Sequence, residues 1–246
     1  MHRATPRLLE DVQALIAEAK QRHPEWLVLI EPLEETARSL DDPIWAAAAA
    51  GAEFLAKFRP DAPILDGASV PVPAEALRIA PLLAASIRGE TDDVPASLAA
   101  MPLLHACART HAQRIPPNWP HGYCPVCGAW PVLAELVGMD RGRHLRCGRC
   151  AADWPASWLR CPYCGEHDHE RLARLVPEAT RETRYVEICE SCGGYLKTMT
   201  TLRASGPIEL TIKDLDTVEL DVAALEAGFK RPKGLGFSVD VRLAAR

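Results

Sequence analysis

Cys124-Pro-Val-Cys127, Cys147-Gly-Arg-Cys150, Cys161-Pro-Tyr-Cys164 and Cys189-Glu-Ser-Cys192 hold eight of the chain's nine cysteines in four identical spacings. A Cys-x-x-Cys turn aims two sulfurs at a common centre, as tetrahedral ligation at about 2.3 Å requires. One turn supplies half a tetrahedral site, so four supply two complete four-thiolate sites. Glycine follows the second cysteine in three of them, at Gly128, Gly165 and Gly193, and Ala151 takes that place in the fourth. The position calls for positive φ, which lets backbone N–H groups turn toward the thiolates and which glycine adopts without steric cost. The Cys147/Cys150 turn is therefore expected to fit less well, and a first site containing it to lose metal before the second.

Two other uses of cysteine compete with metal. Disulfides belong to oxidising compartments and typify small chains that lack a core. Here the cysteines are confined to one segment of a 246-residue chain rich in aliphatic residues. A dithiol redox enzyme carries one reactive Cys-x-x-Cys at a helix start in a βαβ setting, and none of these four has that surrounding. Structural metal sites fit best. Zinc and iron both accept four thiolates in a tetrahedron, so spacing does not choose between them.

Sequential pairing joins Cys124/Cys127 with Cys147/Cys150 across 19 residues and Cys161/Cys164 with Cys189/Cys192 across 24. Both gaps accommodate a β-hairpin, the plan of zinc ribbons and rubredoxins. An interleaved cross-brace would pair the first turn with the third; the 10 residues from Cys150 to Cys161 permit it, but sequential pairing is favoured. His121, His144, His167 and His169 lie near the turns, yet eight thiolates already complete two sites and these read as solvated loop residues. Tyr123, Tyr163 and Tyr195 read as packing, and Trp154 and Trp158 as covers for the metal sites.

The remainder of the chain is that of an ordinary globular protein, with 48% hydrophobic and 25% charged residues. A net charge of −5 offers no whole-protein attraction to nucleic acid or anionic membrane. No run of 18 apolar residues and no leader-like stretch appears, so a cytoplasmic location is expected, where thiolates stay reduced.

Leu8, Leu9, Val12, Leu15, Ile16 and Ala19 recur at helical spacing, and a second helical run covers Ile30 to Leu40. Asp42-Pro43 reads as an N-cap followed by proline at the first position of a helix that continues to Phe58. Prolines make Arg59–Pro73 a surface loop or an inter-helix crossing; helical pattern returns over Ala74–Arg88 and Pro95–Ile115, with Cys107 a small core residue. Residues 1–117 are thus expected to form an all-α domain. Within the cysteine-rich part, Trp130–Val137, Arg184–Ile188 and Gly194–Leu202 read as strands. Asp214–Ala227 reads as a single helix with Leu215, Val218, Val222 and Leu225 inward. The expected fold is α+β: 1–117 helical, 118–205 a double four-cysteine domain of rubredoxin or zinc-ribbon type, and 206–246 a C-terminal helix and tail packed on it.

At Cys124-Pro-Val-Cys-Gly-Ala-Trp-Pro-Val and Cys189-Glu-Ser-Cys-Gly-Gly-Tyr-Leu-Lys the sequence resembles the formate dehydrogenase accessory proteins, the FdhE family. The resemblance continues through Leu145-Arg-Cys-Gly-Arg-Cys, Trp154 and Arg160-Cys-Pro-Tyr-Cys to Asp214-Leu-Asp-Thr-Val-Glu-Leu-Asp. It implies a cytoplasmic, chaperone-like factor that assists assembly of respiratory, molybdenum-dependent formate dehydrogenase by contacting its catalytic subunit. It also implies rubredoxin-like, iron-binding four-cysteine sites. No Ser/His/Asp set, phosphate loop or paired carboxylates stand out, so no catalytic or organic-cofactor residues are assigned and the chain is read as a non-enzyme. Its ligands are Cys124, Cys127, Cys147, Cys150, Cys161, Cys164, Cys189 and Cys192, for two ions of iron or zinc. The rivals are a nucleic-acid-binding zinc ribbon, for which Arg141, Arg143, Arg146, Arg149 and Arg160 form a local basic cluster, and a thiol oxidoreductase acting on a client. Against the first, Cys124–Ser205 carries 11 basic and 10 acidic residues, short of a basic domain. Nothing in the pattern specifies an oligomeric state.

Overall fold

The structure, a computed structural model, describes residues 6–22, 24, 38, 42–54, 61–91, 93–177 and 183–245. Helix α1 (Pro6–Arg22) opens it, with Ile16 and Ala19 buried on one face. Asp42 caps α2 (Pro43–Ala50), its carboxylate accepting from the Ile44 N–H at 2.8 Å, with proline at the first position as expected. Gly51 ends that helix and the chain turns into a two-residue strand, β1 (Glu53–Phe54). The helical run expected over Ile30–Leu40 lies almost wholly outside the described residues.

Part of the proline-bearing segment read as a loop or crossing is a strand, β2 (Ala68–Val72). It is the middle strand of a three-stranded sheet, antiparallel to β1 and parallel to β9 (Arg242–Ala245). The all-helical expectation for 1–117 is corrected by this sheet. Pro71 tolerates the strand because β1 reaches only to Ser69, so no β1 partner lies opposite the missing N–H. Val70 and Val72 face the core, and the strand that completes the ladder comes from more than 160 residues further on. A 3-10 turn (Ala74–Arg78) and helices α3 (Ala80–Arg88) and α4 (Val94–Thr110) follow, and α4 buries Cys107. Burial in that apolar setting pushes the Cys107 thiol up to about 12, the behaviour of a small core residue.

The cysteine-rich part builds one six-stranded sheet in the order β5-β4-β3-β8-β7-β6. Strands β3 (Pro131–Val137), β4 (Gly142–Cys147) and β5 (Asp153–Pro155) form an antiparallel meander, as do β6 (Leu172–Leu175), β7 (Arg184–Cys189) and β8 (Gly194–Thr201). The two meanders are repeats of one plan: turn, hairpin, turn, third strand. They join through a single parallel ladder, β3 on β8, from Leu133–Lys197 to Val137–Thr201.

Two helices follow where one was expected: α5 (Pro207–Leu215) and α6 (Val218–Glu226). The break falls at Thr217, whose hydroxyl donates to the carbonyls of Lys213 and Asp214, ending α5. The break re-aims α6, so Leu220 and Ala224 are buried while Val218, Val222 and Leu225 face out, the reverse of the expected face.

A continuous hydrophobic core runs from Leu83, Leu103 and Leu104 through Cys124, Cys127, Cys147 and Cys150 to Trp154. The first cysteine module thus shares its core with the N-terminal half. Main-chain bonds stitch them too: the Ile64 and Leu65 N–H groups donate to Pro125 and Val126 carbonyls at 2.7 and 3.0 Å. A separate cluster of Val186, Ile188, Tyr195, Leu220 and Ala224 packs α6 on the second module.

Candidate metal centres

Each cysteine turn is built in the same way. The N–H two residues past the second cysteine's predecessor, that of Gly128, Ala151, Gly165 and Gly193, donates back to the first cysteine's carbonyl at 3.0, 3.0, 3.0 and 2.9 Å. All four of these residues have positive φ, from 57° at Ala151 to 80° at Gly165. The backbone demand inferred from three glycines is therefore met at the Cys147/Cys150 turn by an alanine in the left-handed region. Backbone N–H groups of Val126, Arg149 and Cys150 reach the sulfurs of Cys124 and Cys147 at 3.4 Å.

The turns come together sequentially. Cys124, Cys127, Cys147 and Cys150 form one cluster and Cys161, Cys164, Cys189 and Cys192 the other, with all sulfurs of a cluster within 4.8 Å of one another. Sulfur separations of 3.5 Å (Cys124–Cys150, Cys127–Cys147) and 3.7 Å (Cys127–Cys150) occur in the first. In the second, Cys161–Cys192 is 3.8 Å and Cys164–Cys189 is 3.7 Å. A tetrahedron with metal–sulfur bonds of about 2.3 Å has edges of about 3.8 Å, so the donor sets fit two four-coordinate ions.

The clusters differ in electrostatics. In the first, hydrogen bonds from Cys124, Cys147 and Cys150 pull Cys127 well below the usual thiol range, while burial pushes Cys124 and Cys150 up. In the second, burial pushes Cys189 up, but the Cys192 N–H and the Cys164 thiol outweigh it and leave Cys189 lowered. Burial keeps Cys192 raised to about 11.

The surroundings of the clusters revise the readings of Trp158, His144 and the arginines and agree with the reading of His167 and His169 as solvated. Trp154 is fully buried beside the first cluster, but Trp158 is 42% exposed and covers neither centre completely. His167 and His169 are exposed, and His144 Nδ1 pairs with Asp153 at 2.5 Å instead of joining a cluster. Three of the five clustered arginines are engaged within the protein, while Arg141 and Arg160 are exposed. Arg143 is buried and bonds the Ser157 carbonyl at 2.8 Å and Glu187 at 2.6 Å, and buried Arg146 pairs with Glu135 and the Ser205 carbonyl. Arg149 donates to the carbonyls of Ser86 and Ile87 at the end of α3, where a cation also meets the negative pole of the helix.

One network was not legible from motif spacing. Lys197 on β8, 0% exposed, places Nζ 2.7 Å from both Asp214 and Asp221 and 2.6 Å from the Asp214 carbonyl. Arg231 reaches the same two carboxylates at 2.8 Å, and the Tyr195 hydroxyl donates to Asp221 at 2.7 Å. Burial would raise Asp221, but Lys197 and Tyr195 outweigh it and hold the carboxyl below its usual range. The Gly-Tyr-Leu-Lys and Asp214–Asp221 motifs, remote in sequence, are thus two halves of one buried latch.

No protein-family model matches the chain. Its sequence is 33% identical over 117 residues to an FdhE homologue of Aquifex aeolicus, across 46% of this chain and 40% of that protein. It is 31% identical over 111 residues to the FdhE protein of Escherichia coli, across 44% of this chain and 35% of that one. The fold agrees over nearly the whole length: the crystal structure of the FdhE protein from Pseudomonas aeruginosa superposes with a TM-score of 0.52 at 20% identity, covering 96% of this chain and 98% of that one. The chain is FdhE-like. The matched segment spans well under half of the curated relatives' own lengths. No described helix of this FdhE-like chain is long and apolar enough to cross a membrane.

Proposed function

We propose that the chain is a cytoplasmic accessory factor for a respiratory, molybdenum-dependent formate dehydrogenase, binding that enzyme's catalytic subunit during maturation. In this reading residues 118–205 hold two ions, iron or zinc, through the eight clustered cysteines. Residues 1–117 and 206–246 brace that part from either side. The observation that carries the reading is the coincidence of FdhE-like sequence and FdhE-like fold on a chain whose two metal-ready clusters are closed. Four protein sulfurs complete each tetrahedron and leave no position for a substrate, which suits a binding factor and not a metalloenzyme.

The nucleic-acid alternative loses its main support, because Arg143, Arg146 and Arg149 are engaged by carboxylates and carbonyls. The test is co-purification from a lysate containing formate dehydrogenase, with metal counted on the same sample. Two ions per chain and a retained catalytic subunit are expected. A chain that carries two ions but retains no such subunit would overturn the client assignment alone.

A further inference from the structure

The two clusters share ligands and turn geometry but not access to solvent. Cys124, Cys127, Cys147 and Cys150 are all buried, the last although it borders a groove under α4. Cys164 and Cys192 are exposed. A half-open pocket of about 80 Å³ also reaches this cluster, lined by Trp158, Leu159, Cys161 and Cys189. Each exposed sulfur also has a close neighbour on the opposite turn: Cys164 lies 3.7 Å from Cys189 and Cys192 lies 3.8 Å from Cys161.

We propose that the second cluster is a covalent modification site for small thiol-directed oxidants of the peroxide class, and that it closes into two disulfides, Cys164–Cys189 and Cys161–Cys192, while the first cluster stays reduced. The Cys164 sulfur attacks peroxide; a sulfur–oxygen bond forms, the oxygen–oxygen bond breaks, and hydroxide leaves as water after taking a proton. Cys189 then attacks that sulfur, the disulfide forms, and the hydroxyl leaves with a second proton as a second water. Each peroxide removes two electrons from one thiolate pair, and a second repeats the step at Cys192 and Cys161. A zinc ion held by Cys161, Cys164, Cys189 and Cys192 would lose its donors as they are consumed, with no change in its own charge. Both disulfides join the third turn to the fourth, so they replace the ion as a cross-link between the same two turns. Closing them needs the sulfurs to approach to about 2.05 Å. At the exit of the third turn the Ser191 hydroxyl donates to Glu166 at the surface, a contact between the same two turns.

The release of an ion rests on the two-ion reading above, whereas the disulfide pattern does not. Full-length protein loaded with Zn²⁺, which has no redox chemistry of its own, is counted for metal and then given two equivalents of hydrogen peroxide. Remaining thiols are alkylated after unfolding and peptides mapped without reduction. The expected result is both inter-turn disulfides, alkylated Cys107, Cys124, Cys127, Cys147 and Cys150, and loss of half the zinc. Disulfides within a turn, oxidation of the first cluster first or to the same extent, or eight unreacted thiols would each overturn the proposal. A zinc content of zero before oxidation would refute the two-ion reading, and the disulfide map would then decide this inference by itself.

Discussion

The first and second cysteine modules are two copies of one plan placed in opposite environments. The first is fused to the N-terminal half: its four sulfurs lie in the same core as Leu83 and Leu104, and Arg149 ties its second turn to the end of α3. The second stands on the outer half of the sheet, held by the β3–β8 ladder and by the Lys197 latch to α5 and α6. Identical ligands therefore carry different structural weight. The lesson concerns lability as well: the alanine-bearing turn, expected from sequence to be the weaker, lies in the buried cluster. The unfavourable φ at Ala151 and the burial of its cluster act on lability in opposite directions.

The largest test of that difference removes one ligand from each cluster. A structural four-thiolate site contributes folding free energy on the order of 10 kcal/mol, comparable with the stability of a whole domain. Cys147→Ser is expected to unfold the N-terminal half together with the first module, because they share a core. Cys192→Ser is expected to disorder the second module and leave α2, α3 and α4 folded. Far-ultraviolet circular dichroism and amide exchange of the two variants would distinguish them; a Cys147→Ser protein with intact helices would break the comparison.

A smaller effect probes the latch. Lys197→Met leaves the carboxylates of Asp214 and Asp221 with Arg231 as their remaining cationic partner inside the protein. Breaking a buried pair on one side costs about 3–5 kcal/mol. Thermal unfolding should fall accordingly, with α5 and α6 exchanging amides faster and the first cluster unaffected. Unchanged protection of α5 and α6 would show that the second module does not depend on the latch.

Glycine substitutions in equivalent turns should separate next. A Cβ on Gly128 would lie 2.0 Å from the Phe237 carbonyl oxygen, so the C-terminal segment must move away from the first module. A Cβ on Gly193 meets nothing within 4 Å, leaving only the cost of positive φ, about 1–2 kcal/mol. Gly128→Ala should therefore lower the unfolding midpoint more than Gly193→Ala; equal losses would mean that backbone strain alone governs both.

The smallest effect depends on pH. Hydrogen bonding to Asp153 raises the His144 pKa, against burial, on the first module. A raised pKa contributes stability that is fully present below the unfolded-state value and is lost as pH rises through the folded-state value. Wild type should therefore lose a little stability as pH rises above the ordinary histidine value of about 6.5, a loss that His144→Ala does not show. Chemical denaturation at several pH values would read it, and parallel curves for the two proteins would rule out this contribution.

The sequence by itself determined what local chemistry determines. Four equal Cys-x-x-Cys spacings with three following glycines specified the turns and two four-sulfur clusters, and favoured the sequential pairing that the fold adopts. Asp42-Pro43 and the alternating runs near Trp130, Arg184 and Gly194 located a helix start and three strands within a residue or two. Tertiary structure decided whatever depended on a distant partner. β2 was hidden because Pro71 reads as a breaker until β9, from the far end of the chain, supplies the ladder. The inward face of α6 followed from the break at Thr217, and the roles of Arg143 and Arg146 from Glu187 and Glu135, which strand pairing brings to them. Lys197 and Asp221 were visible as motifs but not as a pair, since 24 residues separate them along the chain and only folding closes the gap to 2.7 Å. The unequal exposure of two equal clusters belongs to the same class: ligand spacing is a local property, and burial is a property of everything packed around it.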